Sequence, residues 1–345
     1  MYAEIKNKID AELARFIKEI DCRYSLSKIS PLLFDSIKDF VSREGKRVRP
    51  VLFILGYKGF SGKNPKGLYR SAISVELLHD FFLIHDDIID RSDTRRGKPS
   101  MHVLLDNYLK KNKYSKCTGQ DLAIVVGDVI YAMAIEAFFS IKENPARKES
   151  ALKKYIEGTV YTGAGELEEV LYEVRKIDSI TKEDIYKIYD LKTAYYTFAC
   201  PLVLGALLAG AGREEVNRIF KYGICLGRAF QIKDDILGVF GKKEEIGKSP
   251  LTDIQEGKKT ILVWYAYNHS DENEKSAIER ILGSSKISHK DFLGIKKIIS
   301  ESYAVDYAKK EIAFLIREAE GILARSKMRN KYKKTLTNYI IDVLK

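Results

Sequence analysis

The sequence predicts an all-α fold, a single large helical bundle spanning residues 1–345. Three observations predict it. Apolar residues recur at three- and four-residue spacing through 3–20, 31–43, 68–90, 120–141, 151–176 and 183–200, the pattern of a helix with one buried face. Apolar–polar alternation bounded by Asn-Gly or Asp-Gly turns, which marks strands and hairpins, is missing. Six of the seven prolines (31, 50, 65, 99, 145 and 250) fall at segment ends, where a helix tolerates a lost N–H.

The elements follow in chain order. The opening MYAEIKNKIDAEL carries acids and no apolar stretch, so it does not read as a secretory signal. The longest polar breaks, around 61–66, 110–119 and 241–258, separate helical segments without a linker or repeat. Thr193 to Gly212 has 20 residues without a charge, long enough to span a bilayer. It also holds Pro201, three glycines and five alanines, and reads as a buried core helix kinked at the proline. Near the C-terminus Ile312, Leu315, Ile316, Ala319, Ile322 and Leu323 share one helix face.

Composition bounds the function. Of 345 residues, 45% are hydrophobic and 31% charged, which supports a sizeable core and excludes a disordered chain. Net charge is +11, and such an excess suits a phosphate-rich partner: nucleic acid, an anionic membrane or a phosphorylated metabolite. Part of it lies in Arg325, Lys327, Arg329, Lys331, Lys333 and Lys334, read as a solvated face or turn. Cys22, Cys117, Cys200 and Cys225 are scattered with no CxxC pair, so neither a zinc site nor a disulfide framework is supported. A cytoplasmic location is expected.

The strongest chemical signal is FFLIHDDIID at 81–90. On a helix Asp86 and Asp90 lie one turn apart and point the same way, with Asp87 beside them. Three carboxylates on one turn, next to Phe81 and Phe82, repel one another and call for a cation. Hard oxygen ligands without thiols or a spaced histidine pair indicate Mg²⁺, which bridges carboxylates to substrate phosphates. Five residues on come Arg95 and Arg96, guanidiniums suited to a diphosphate. A second acidic pair, Asp234 and Asp235, follows Gln231 by about a turn. Acids on two helices can face each other across a bundle and share metals. Lys46, Arg49, Lys192, Lys248 and Lys258 sit in loop-like or polar settings, and as a set they read as a cage for two diphosphates.

The ordered motifs GKRVRP at 45–50, HDFFLIHDDIIDRSDTRRGKPSMH at 79–102, KTAYYTFACPL at 192–202 and FQIKDDILGVFG through GKSPLTDIQEGKKT at 230–260 closely resemble the trans-isoprenyl diphosphate synthase (polyprenyl synthetase) family. The resemblance implies an all-α isoprenoid-synthase bundle with a central cavity, a homodimer, and three Mg²⁺ per active site with substrate bound. Asp86, Asp87, Asp90 and Asp234 would hold the metal, with Asp235 in the same catalytic group. Arg95, Lys192, Thr193, Gln231, Lys248 and Lys258 would grip the allylic diphosphate. Lys46, Arg49, His79 and Arg96 would bind isopentenyl diphosphate. Two positions depart from the family pattern: Gly238 stands where a third Asp is common, and Glu166 where a Gln is common.

The implied reaction ionises a dimethylallyl, geranyl or farnesyl diphosphate and adds isopentenyl diphosphate head to tail. Phe81 and Phe82, five and four residues before Asp86, would floor the tail cavity and limit the product to C15 or C20. Three other readings compete. A terpene cyclase needs no isopentenyl site, against Lys46, Arg49 and His79. A non-catalytic partner subunit typically loses acids of the first motif, and all three are kept. A nucleic-acid binder leaves both acidic clusters unexplained, so neither nucleic acid nor a membrane span is expected.

Overall fold

The structure, a computed structural model, describes residues 1–113, 116–241, 252–284 and 286–344. Helices α1 (Tyr2–Tyr24), α3 (Pro31–Val41), α4 (Val48–Phe60), α5 (Leu68–Ile89), α7 (Gly119–Phe138) and α8 (Pro145–Val174) follow the periodic segments, with short α2 (Leu26–Ile29) and α6 (Met101–Lys111) between them. Pro31 and Pro145 open their helices, as the chemistry of a first turn allows. Thr118 begins α7 with a capping box that closes on Asp121.

The long apolar segment forms one continuous helix, Lys182–Ala209, and 78% of its most apolar stretch is buried. It contains α9 (Lys182–Ile188), a π-helical stretch (Tyr189–Ala199) and α10 (Cys200–Ala209). Just upstream of Pro201, where a kink was expected, the helical turns are widened, and Cys200 N–H reaches back five residues to Tyr195 O. Proline at 201 lacks the N–H that an α-helical turn would need. Such widened turns recur at functional sites.

Helix α11 (Arg213–Phe240) packs along this helix, and the bundle closes with helices at Ile261–Asn268, Glu272–Leu282, His289–Glu301, Ala304–Ala324 and Asn330–Leu344. Two glycines permit the approach. A Cβ on Gly227 would sit 2.2 Å from Ala194 Cα, and one on Gly165 would sit 2.7 Å from Leu191 Cβ. Helices α8 and α11 therefore both press against the π-helical stretch.

One departure from the all-helical expectation is a two-residue hairpin, β1 (Thr94–Arg95) against β2 (Lys98–Pro99). Its turn residues, Arg96 and Gly97, both have positive φ, 55° and 71°, the pattern of a tight primed turn. Strands this short carry no alternation for sequence periodicity to detect. Pro99 sits in this hairpin, and Pro250 lies outside the described residues. All four cysteines are free thiols.

Candidate active site

Helices α5, α8 and α11 and the π-helical stretch form most of the lining of a cavity of about 950 Å³, completed by Arg49 of α4, the hairpin and residues 258–260. Asp86 and Asp90 line it from α5, Glu166 and Glu169 from α8, Lys192 and Thr193 from the π-helical stretch, and Gln231, Asp234 and Asp235 from α11. The two acidic motifs, 144 residues apart between Asp90 and Asp234, thus open onto one hollow.

The acids of α5 take different roles. Asp86 accepts from Lys192 Nζ at 3.2 Å and from Arg95 Nη2 at 3.3 Å. Burial works against its charge, but Lys192, Arg95 and Lys258 outweigh it and hold its carboxyl below the ordinary range. Asp87 has no exposed surface, and Arg95 binds its Oδ1, with Nε at 2.9 Å. Burial raises the Asp87 carboxyl to about 6, with Arg95 opposing. Asp90 lies 3.7 Å from Lys258 Nζ and is raised by burial and by the charge of Asp86.

Opposite them stands an acidic row on α8, Glu166, Glu169 and Glu173, which shares a face at spacings of three and four. Lys192 Nζ donates to Glu166 at 2.8 Å and also pairs with Glu169. Lys258 lies 2.9 Å from Glu256 and 3.8 Å from Glu169. Asp86, Asp90 and Glu166 each offer a carboxylate oxygen within 4.8 Å of the others, a grouping able to hold a metal ion. Asp87 lies beside this grouping, turned to Arg95. Across the cavity, Thr193 donates to Gln231 Oε1 at 2.8 Å and Gln231 donates to Asp235 Oδ1 at 3.1 Å. Buried Tyr189 hydroxyl joins Asp235 and accepts from Ile261 N at 3.0 Å.

A second, cationic zone lies farther along α5. Arg49 stacks over the Tyr196 ring at 4.4 Å and donates to Thr197 Oγ1 at 2.7 Å. The Tyr196 hydroxyl is 2.7 Å from His79 Nδ1. Burial, reinforced by Arg49 and Arg96, keeps the His79 imidazole neutral. Arg96 lies 3.4 Å from fully buried Asp80. Lys46 stays exposed on the loop before α4, outside the cavity lining, and Lys248 lies outside the described residues. Phe81 and Phe82 line the cavity, with ring centroids 5.1 Å apart. Phe81 also packs on Tyr131 at 5.2 Å, and Phe82 meets Tyr196 edge-on at 5.2 Å.

The polyprenyl synthetase family profile matches residues 30–299. The chain belongs to this family. It is 32% identical to a geranylgeranyl diphosphate synthase of Saccharolobus solfataricus, over 99% of this chain and 96% of that one. A short chain isoprenyl diphosphate synthase of Methanocaldococcus jannaschii is 33% identical over 88% and 84%. A geranylfarnesyl diphosphate synthase of Aeropyrum pernix is 33% identical over 87% and 89%. Among solved structures, geranylgeranyl pyrophosphate synthase from Corynebacterium glutamicum, complexed with isoprenyl diphosphate and magnesium, superposes with a TM-score of 0.91. It is 25% identical and covered over 98% of its length, with 99% of this chain matched. The family and the all-α isoprenyl-synthase fold expected from the motifs are therefore borne out.

Sequence reasoning missed Glu169, Glu173, Glu256, Tyr189, Tyr196 and Thr197. The row of three glutamates on α8 was legible as one helix face, but an acidic face ordinarily reads as solvated. The tyrosines gave no signal, because their roles depend on the helix packed against them.

Proposed function

We propose that this family member is a short-chain trans-prenyltransferase. It joins isopentenyl diphosphate head to tail to a dimethylallyl, geranyl or farnesyl diphosphate, giving C15 or C20 prenyl diphosphate. The names of the archaeal relatives weigh toward C20. The observation that carries the reading is one apolar-floored cavity with an acidic zone at Asp86, Asp90 and Glu166 and a cationic zone at Arg49 and Arg96. A terpene cyclase has no use for the second zone.

The residues present fit Mg²⁺. The donor set is all carboxylate oxygen, the buried Oε1 of Glu166 has no hydrogen-bond partner among the described residues, and Asp86, Asp90 and Glu166 converge. Asp86, Asp90 and Asp234, with Asp87 adjoining, would hold the ions, three per site with substrate bound. When bound, Mg²⁺ supplies Lewis-acid stabilisation of the departing diphosphate.

The side chains supply the rest. Lys192, Lys258 and Arg95 are charged and oriented by carboxylates, ready to turn to an allylic diphosphate. Thr193 and Gln231 add polar contacts. Arg49, Arg96 and neutral His79 hold isopentenyl diphosphate beside the allylic C1, with Lys46 at the approach and Lys248 extending the allylic set. Charge delocalised on the allylic cation is kept from water by the aromatic wall of Phe81, Phe82 and Tyr196. Proton loss from the adduct needs a base. His79 is walled in by arginines that disfavour its cation, so the released pyrophosphate is the better acceptor.

We further propose a homodimer. Helix α8 exposes Ile156, Val160, Leu167, Leu171 and Val174 at spacings of three, four or seven residues, with Leu167 62% exposed. This stripe runs about 27 Å along the helix, and a second copy would cover it. The same helix carries Glu166 and Glu169 on its other side, so a partner would back the wall of the site.

The test is incubation with labelled isopentenyl diphosphate, Mg²⁺ and C5, C10 or C15 primers, followed by chromatography of dephosphorylated products. The Asp86→Ala/Asp90→Ala double variant should lose roughly 10³-fold or more in turnover. Near-normal turnover in that variant, or no primer-dependent product from the parent, would refute the assignment.

A further inference from the structure

Glu166 is one of the two positions at which the resemblance noted above implies a different residue, there a Gln. Its surroundings explain what a carboxylate does there. One oxygen, Oε2, accepts from Lys192 at 2.8 Å, while Oε1 is buried and has no hydrogen-bond partner among the described residues. A buried carboxylate oxygen left unpaired is costly. Glu166 also offers a carboxylate oxygen within 4.8 Å of oxygens of Asp86 and Asp90.

The local charge balance is negative. Asp86, Asp87, Asp90, Glu166 and Glu169 share Arg95, Lys192 and Lys258, five named carboxylates to three named cations. If Glu166 served only to neutralise Lys192, it would be redundant, because Asp86 and Glu169 already pair with that ammonium. Glutamine at this position would relieve the repulsion and still accept from Lys192. A cation on the open side of this carboxylate would offset both the repulsion and the unpaired oxygen.

Geometry allows one. Ligand oxygens on an octahedral Mg²⁺ lie about 3 Å apart when adjacent and about 4 Å when opposite, given bonds near 2.1 Å. Closing a 4.8 Å spacing to these values takes only a rotamer-scale shift. Helix α8 is held close enough to allow this by Gly165, which packs on Leu191 and the Lys192 backbone.

We infer that Glu166 is a direct metal ligand contributed by α8, so that a divalent ion here is clamped between two helices rather than carried by α5 alone. This rests on the metal reading of Asp86 and Asp90 given above. It makes α8 part of the metal site, with Lys192 as the internal cation that loosens from Glu166 as the ion and diphosphate arrive.

The experiment uses the full-length protein and Mn²⁺ alone as the probe. Affinity is read by the EPR signal of free Mn²⁺, and bound-water number by proton relaxation. Glu166→Gln, nearly isosteric and less repulsive, should raise the Kd about tenfold and add about one water to the bound ion. Glu166→Asp should recover part of the affinity. Far-UV circular dichroism and thermal melting confirm that each variant is folded. Asp86→Asn reports on the underlying reading. If it binds Mn²⁺ like the parent, the metal assignment itself fails. If Asp86→Asn weakens binding but Glu166→Gln leaves affinity and water number unchanged, Glu166 is a counterion to Lys192 and the inference falls alone. A Kd shift without an added water also overturns the inference, because loss of charge weakens binding without opening a coordination position.

Discussion

Truncating the aromatic floor should lengthen the product by one five-carbon unit. Phe82 and Phe81 precede Asp86 by four and five residues, about 6 and 7.5 Å along the axis of α5. The Phe81 ring is fixed by Phe82, by His85 at 4.5 Å and by Tyr131. With Phe81→Ala, the next side chains on that face are Leu78 and Leu77, one turn or about 5.4 Å farther. An extended isoprenyl unit adds four bonds of about 1.5 Å in zigzag, roughly 5 Å in all. One helical turn thus matches one unit, and a C15 maker should shift to C20, or a C20 maker to C25. Phe82→Ala removes the ring packed on Tyr196, which orients His79. It should lengthen the product and also raise the KM for isopentenyl diphosphate. Fully enclosed Phe→Ala changes cost about 3–5 kcal/mol. Both rings face the cavity, so the cost should fall below about 3 kcal/mol and leave the variants folded. The assay is reverse-phase chromatography of dephosphorylated products at matched turnover. An unchanged product distribution in Phe81→Ala, Phe82→Ala and the double variant, at near-normal rates, would place the floor elsewhere and refute the reasoning.

Other outcomes follow from the same contacts. Burial raises the Asp80 carboxyl to about 7, with Arg96 and Arg47 opposing and Glu76 reinforcing. A raised acid holds its proton more tightly folded than unfolded, so its contribution is complete below about pH 3.8 and is lost as pH rises through about 7. Metal-free protein should therefore melt progressively lower between about pH 4 and 7, and Asp80→Asn should flatten that slope; an unaltered slope in the variant contradicts the assignment. Tyr189→Phe strips a hydroxyl shared by Asp235 and Ile261 N. Urea unfolding should show a loss of about 1–3 kcal/mol, and an undiminished midpoint would mean that another group satisfies both partners. Val160→Asp with Leu171→Lys, on the exposed stripe of α8, should sediment as a monomer where the parent sediments as a dimer. A parent that is itself monomeric would remove the dimer proposal.

Much of the site was legible before any packing was known. Asp86 and Asp90 fall on one face because the helical period makes residues four apart neighbours. Phe81 and Phe82 follow on the same element for the same reason. The second motif was also recognisable, since Gln231, Asp234 and Asp235 lie about a turn apart. The role of Asp87 was not legible. Its side chain turns to Arg95 because the tight hairpin at Arg96 and Gly97 swings the chain back toward α5. The direction of Lys46 was not legible either: it lies next to Arg47 and three residues from Arg49, yet its side chain is exposed and outside the cavity lining. Neighbours in sequence on a loop need not share a direction.

The sequence by itself determined the elements and the chemical types they carry: helices from a period near 3.6, carboxylates at one-turn spacing, aromatics one turn away, and the family through its ordered motifs. Tertiary structure alone decided which of those groups meet. Glu166 and Glu169 became part of the site because Gly165 lets α8 approach the widened turns upstream of Pro201, bringing Lys192 within reach. Asp234 came to share a hollow with Asp86 because Gly227 lets α11 pack on the same stretch. Periodicity is a local property of a chain and fixes faces. Charge neutralisation and cavity formation depend on distances between faces, which close packing of distant segments sets.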